Sequence, residues 1–153
     1  MTAEERDSIA RLVRILGEAR EALRAEPWQI AQLRDFFGRH VLRARPDAYI
    51  LGKFRQHVEE DGHGPDYITP EGYLDSLRET VLDSRSAIYL TDAGPTGEWT
   101  IYFVGRVRRA WRGPAGSNRV VVIFNAERFR FVTGFQPDGD DEYVESLGGY
   151  WLR

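Results

Sequence analysis

The apolar residues of this chain change their spacing at residue 86. Before it they recur every three or four positions, the repeat of one buried helix face. After it they alternate or form short runs, as strands do. Helices first and strands afterwards point to an α+β fold, in which N-terminal helices are followed by an antiparallel β-meander sheet of four to five strands.

Residues 3–25 set Ile9, Leu12, Val13, Leu16, Ala19 and Leu23 on one helical face. Pro27 can open a second helix, and Trp28, Ile30, Leu33, Phe36, Phe37 and Val41 keep the spacing until Pro46. The pair reads as a helical hairpin, an N-terminal extension over 1–45 ahead of an α+β domain over 46–153. A third helix is predicted over 48–60. A fourth starts at Thr69-Pro70-Glu71, with a hydroxyl at the N-cap, proline at the first helical position and an acid in the first turn. Between them Asp61-Gly62-His63-Gly64-Pro65-Asp66 reads as a turn. Strands are predicted at 87–91, 98–104, 105–112, 119–124 and 128–135, and the acidic tail from Pro137 is expected to dock through Tyr143, Leu147, Tyr150 and Trp151.

The 153 residues carry 21 basic against 24 acidic side chains, a formal net charge of −3. That excludes a uniformly basic nucleic-acid coat but not a local basic face. With no cysteine, disulfides, thiolate catalysis and Cys-ligated zinc are all ruled out. The first residues are too acidic for a signal peptide, and no stretch approaches the length that spans a bilayer, so no membrane partner is expected. Of the basic residues 20 are Arg, and the single lysine is Lys53.

Lys53 lies four positions before His57, which in a helix puts the two side chains on one face about 6 Å apart at Cβ. A histidine can move a proton near neutral pH, and an adjacent ammonium can hold an anion, a pairing suited to phosphodiester chemistry. The strand block is the second candidate. Residues 101–133 hold Arg106, Arg108, Arg109, Arg112, Arg119, Arg128 and Arg130 against Glu127 alone, seven charges against one, or +6. Arg106, Arg108, Arg112 and Arg130, beside the rings of Trp99, Tyr102 and Trp111, offer what single-stranded nucleic acid requires: charges for phosphates and faces for bases. In Phe131-Val132-Thr133-Gly134-Phe135 a hydroxyl stands beside a glycine inside a strand, and period two places Thr133 on the face of Phe129, Phe131 and Phe135 unless Gly134 breaks the alternation.

The order of these pieces resembles a family. A Lys-x-x-x-His helix (Lys53, His57) leads to a Tyr73-Leu74-x-x-Leu77 helix, then to a meander ending in Val-Val-Val-Ile-Phe-Asn and Arg-Phe-Val-Thr-Gly-Phe-Gln-Pro. This looks like the cytotoxic ribonuclease domains of colicin D type, within the barnase–EndoU–colicin–RelE group of bacterial toxins, over roughly residues 48–143. The resemblance implies a metal-independent endoribonuclease without a cofactor, acting on tRNA or other single-stranded RNA in the cytoplasm. It implies delivery as a secreted effector and neutralisation by a cognate immunity protein or antitoxin. Carried over by position, His57 is the general base or acid, Lys53 stabilises charge on phosphorus, and Arg55 is a second basic residue near that histidine. Thr133 supplies the hydroxyl of the last strand, and Phe135 the aromatic that supports the site against substrate.

Three other readings compete. One is a non-catalytic RNA- or protein-binding module on the same scaffold. Another is a metal-dependent nuclease built on Asp61, His63 and Asp66, and a third places the main function in a dimer or partner interface on the 3–45 hairpin.

Overall fold

The computed structural model describes residues 2–20, 24–63, 68–107 and 118–152. Helix α1 (Ala3–Ala19) begins at a reciprocal cap: Glu5 N–H donates to Thr2 Oγ1 (3.1 Å) and Thr2 N–H donates to the Glu5 carboxylate (3.0 Å). It stops six residues short of the sequence expectation, at Ala19 rather than residue 25. Helix α2 (Pro27–Asp35) has proline in its first turn and runs into a π-helical turn at Phe36–Val41, where Leu42 N–H reaches back five residues to Phe37 C=O (3.0 Å). Helix α3 (Ala48–Phe54) is capped by Asp47 and passes in the same way into a π-helical turn at Arg55–Glu60. Helix α4 (Pro70–Leu82) starts as its sequence predicts, with Gly72 N–H donating to Thr69 Oγ1 (3.1 Å).

The strands β1 (Ala87–Thr91), β2 (Thr100–Arg106), β3 (Arg119–Asn125), β4 (Arg130–Phe135) and β5 (Tyr150–Leu152) form one antiparallel sheet in the order β4-β3-β2-β1-β5. The α+β expectation holds, with two differences in the strands. The predicted break at 104/105 is absent: β2 runs through Gly105 to Arg106, paired with Arg119. The tail does more than dock, because after the short helix α5 (Glu142–Glu145) it adds β5 to the free edge of β1.

Both faces of the sheet are covered. Val120, Val122 and Phe124 of β3 join Leu74, Leu77 and Val81 of α4, Ile9, Val13, Leu16 and Leu33 of the first two helices and Phe37 of the π-helical turn after α2 in one core. Residues from both sides of position 46 therefore share that core. On the opposite face Tyr89, Tyr102, Val121 and Ile123 pack with Val144, Leu147 and Trp151 of the tail. Burial on two faces explains why 120–124 is an unbroken apolar run rather than an alternating one.

Candidate active site

Strand β4 carries one extra residue. Ile123 opposes Thr133 and Phe124 opposes Phe131, so Val132 between them has no partner across the ladder. The bulge overturns the shared face expected for Phe131, Thr133 and Phe135. Phe131 packs with the helices, whereas Thr133 and Phe135, opposite Ile123 and Val121, lie on the other side. Thr133 thereby sits on the sheet's edge strand, on the face away from Phe131.

The π-helical turn after α3 brings His57 to that edge. Its Nε2 lies 2.8 Å from Thr133 Oγ1 and its Nδ1 3.2 Å from Asp61 Oδ2. A carboxylate only accepts, so Nδ1 carries the proton and donates to Asp61. In the neutral ring Nε2 then accepts from the Thr133 hydroxyl. The three side chains form one line, Asp61–His57–Thr133. Gly62, with φ 72°, reverses the chain after the turn, and His63 N–H donates back to His57 C=O (2.9 Å). That closure lays the His63 ring parallel to His57, centroids 5.9 Å apart and planes 2° apart. Phe135 packs against both histidine rings (5.2 Å from His57, 6.5 Å from His63) and in turn meets Tyr143 edge-on (5.3 Å).

His57, Asp61, His63, Phe135 and Tyr143 line an open cleft of about 500 Å³ together with Gln136, Pro137 and Asp138. Burial pushes the His57 pKa below its ordinary value; Asp61 opposes the shift, and His63 and Lys53 reinforce it. His63 is lowered as well, again first by burial, with Asp61 and Asp138 opposing. An imidazole held neutral, oriented through one nitrogen by a carboxylate and accepting from a hydroxyl at the other, can take a proton once a substrate hydroxyl replaces that donor.

The other sequence candidates fall into three groups. Lys53, half-buried one turn before His57, sits over the Tyr49 ring (5.5 Å), whose hydroxyl donates to Val132 C=O (2.5 Å) at the bulge. Tyr49 thus touches both the lysine and the bulged strand. Arg55 is exposed and takes no part in the hydrogen bonds and ring stacking that join His57 to Asp61, His63 and Thr133. Arg106 lines a different cavity of about 390 Å³ with Arg85, Arg119 and Asp141, and Arg130 is exposed opposite Asn125 at the other end of β4 from Phe135. Arg108, Trp111, Arg112 and Asp66 lie outside the described residues.

Two rings expected to stack on bases cannot do so, because Trp99 (7% exposed) and Tyr102 (8%) are core residues on opposite faces of the sheet. Sequence reasoning treats Asp61 as part of a turn or a metal ligand and misses it as the partner of His57. The signal is present, since Asp61 follows His57 by the same four residues that separate it from Lys53. Tyr49 and Tyr143 also escape it as neighbours of the site, and nothing in their spacing marks them. No protein-family profile matches this chain, and no curated protein or solved structure matches it.

Proposed function

We propose that this chain is a metal-independent endoribonuclease that cuts tRNA or other single-stranded RNA. The observation that carries the reading is the hydrogen-bonded line Asp61–His57–Thr133, of which Asp61 and His57 border an open cleft. His57 Nε2 takes the proton of a ribose 2′-OH as that oxygen bonds to the adjacent phosphorus. The bond from phosphorus to the 5′-oxygen then breaks, and the protonated imidazole returns its proton to the leaving oxygen. The products are a 2′,3′-cyclic phosphate and a free 5′-OH. Asp61 holds the imidazole in the tautomer this needs and favours its charged form once the proton arrives. Thr133 gives its hydroxyl hydrogen bond to a phosphate oxygen when substrate displaces it from His57. Lys53 supplies a point charge for the phosphorane.

The resemblance to colicin D-type domains adds the biological setting. The chain acts as a toxin or effector on RNA in the cytoplasm of the cell it enters, and a cognate immunity protein or antitoxin binds it in the producer. The test is incubation of the purified full chain with total tRNA in EDTA, followed by mapping of product ends. Cleavage leaving cyclic phosphate, abolished in His57→Ala and in Lys53→Ala at unchanged circular dichroism, is the expected result. Binding without cleavage, cleavage lost in EDTA, or cleavage surviving both substitutions would overturn the reading.

A further inference from the structure

We propose that His57, Asp61 and His63 form a binding site for a transition-metal dication of the Zn²⁺ class, and that the bound ion shuts the nuclease off. Binding stands on geometry alone; the shut-off rests on the reading in the preceding subsection. One ring nitrogen of each histidine and one carboxylate oxygen of Asp61 lie within 4.8 Å of one another. The 3.2 Å between His57 Nδ1 and Asp61 Oδ2 is what two ligands about 2.0–2.2 Å from one ion span at a near-tetrahedral angle. From 4.8 Å the remaining gap closes by a movement of about 1.5 Å at most, and Asp61, whose side chain is 45% exposed, has room to turn.

The backbone holds the three ligands together before any ion arrives. All come from residues 57–63, fixed by the π-helical turn, the left-handed Gly62 and the hydrogen bond from His63 N–H to His57 C=O. A second observation points to a ligand independently. His63 Nδ1 is buried with no hydrogen-bond partner among the described residues, a condition that costs about 1–3 kcal/mol and that coordination would relieve. The cleft outside supplies an entry path and space for a water or a phosphate oxygen as fourth ligand. Two imidazoles and one carboxylate suit Zn²⁺ or its neighbours, whereas Mg²⁺ and Ca²⁺ prefer oxygen throughout.

Occupancy changes the chemistry of His57. An ion on Nδ1 displaces the proton donated to Asp61 and forces the ring to carry its proton on Nε2. The nitrogen facing Thr133 then becomes a donor and cannot accept from the ribose hydroxyl. A free concentration ten times Kd leaves about one chain in eleven unoccupied, so cleavage falls about tenfold.

Calorimetric titration of the EDTA-stripped, dialysed full chain with Zn²⁺, and the visible absorption of Co²⁺, read binding without reference to activity. One ion per chain is expected, with none for Mg²⁺ and at least tenfold weaker binding in His63→Gln. Asp61→Asn, at an exposed position, is the second variant should the first not fold. Absence of one-to-one binding, or undiminished binding in both folded variants, overturns the site. In the cleavage assay Zn²⁺ should inhibit the wild type and inhibit His63→Gln less, each compared with its own rate in EDTA. An ion that binds and speeds cleavage overturns the shut-off. One-to-one binding by a chain that cuts no RNA with or without the ion leaves the site standing and refutes the nuclease reading alone.

Discussion

Gly134 is held at its position by contact rather than by backbone conformation. A Cβ there would meet Leu77 Cδ2 at 2.4 Å, Cδ1 at 3.1 Å and Cγ at 3.3 Å. Carbon atoms in a protein interior settle at about 3.5–4.0 Å, so Gly134→Ala requires a retreat of more than about 1 Å at the nearest atom. Leu77 has nowhere to retreat to, being fully buried between α4 and the sheet. The strand is also tied from its own side, because the buried Tyr73 hydroxyl donates to Gly134 C=O (2.6 Å). Overpacking of this kind costs about 1–3 kcal/mol, and in a chain of this size each of those kcal/mol lowers Tm by about 2–4 °C. Urea and thermal unfolding of Gly134→Ala, Leu77→Ala and the double variant measure it. Leu77→Ala alone should lose about 2–5 kcal/mol to its cavity. The double variant, with a methyl group entering that cavity, should be more stable than the sum of the single losses by at least about 0.5 kcal/mol. Additive losses, or a Gly134→Ala variant as stable as the wild type, would refute the contact argument. Because Thr133 and Phe135 flank the glycine, cleavage by Gly134→Ala measured well below its Tm should also fall.

Two further outcomes follow from buried polar groups. His57 and His63 both titrate below the unfolded value of 6.5, so on acidification the unfolded chain takes protons first. Their contribution destabilises the fold as pH drops through 6.5 towards their folded values and vanishes above it; urea midpoints should fall across that window more steeply in the wild type than in His57→Gln. Arg34 is buried, and its guanidinium donates to Val81 C=O (3.2 Å), to Ser86 Oγ and to Ser86 C=O. Arg34→Met removes those three hydrogen bonds and should cost about 1–3 kcal/mol in urea unfolding, with cleavage rates at temperatures where the variant is folded close to those of the wild type.

The parts of the fold that follow a regular period are legible in the sequence, and the parts that depart from it are not. The start of α4 can be read from Thr69 and Pro70, because capping is a local hydrogen bond between neighbours. Strand β5 cannot, since Tyr150, Trp151 and Leu152 become a strand only when β1 offers them an edge. Gly105 looks like a break because glycine lacks a side chain to pack, yet in β2 it lies against Thr80 of α4, a neighbour far away in sequence.

The candidate site depends on two such departures, each adding one residue to a regular element. Had β4 alternated regularly, with Val132 paired, Thr133 would have stayed on the face of Phe131, away from the one it now shares with Phe135. In the helix the wider turn sends Asp61 N–H to Gln56 C=O and His63 N–H to His57 C=O, and the second of these bonds sets one histidine ring over the other. Lys53 and His57 share a face by simple helical spacing, so they can be paired from sequence alone. The hydroxyl on one side of His57 and the carboxylate on the other depend on a bulge and a π-helical turn, departures from the regular repeat that periodicity cannot place.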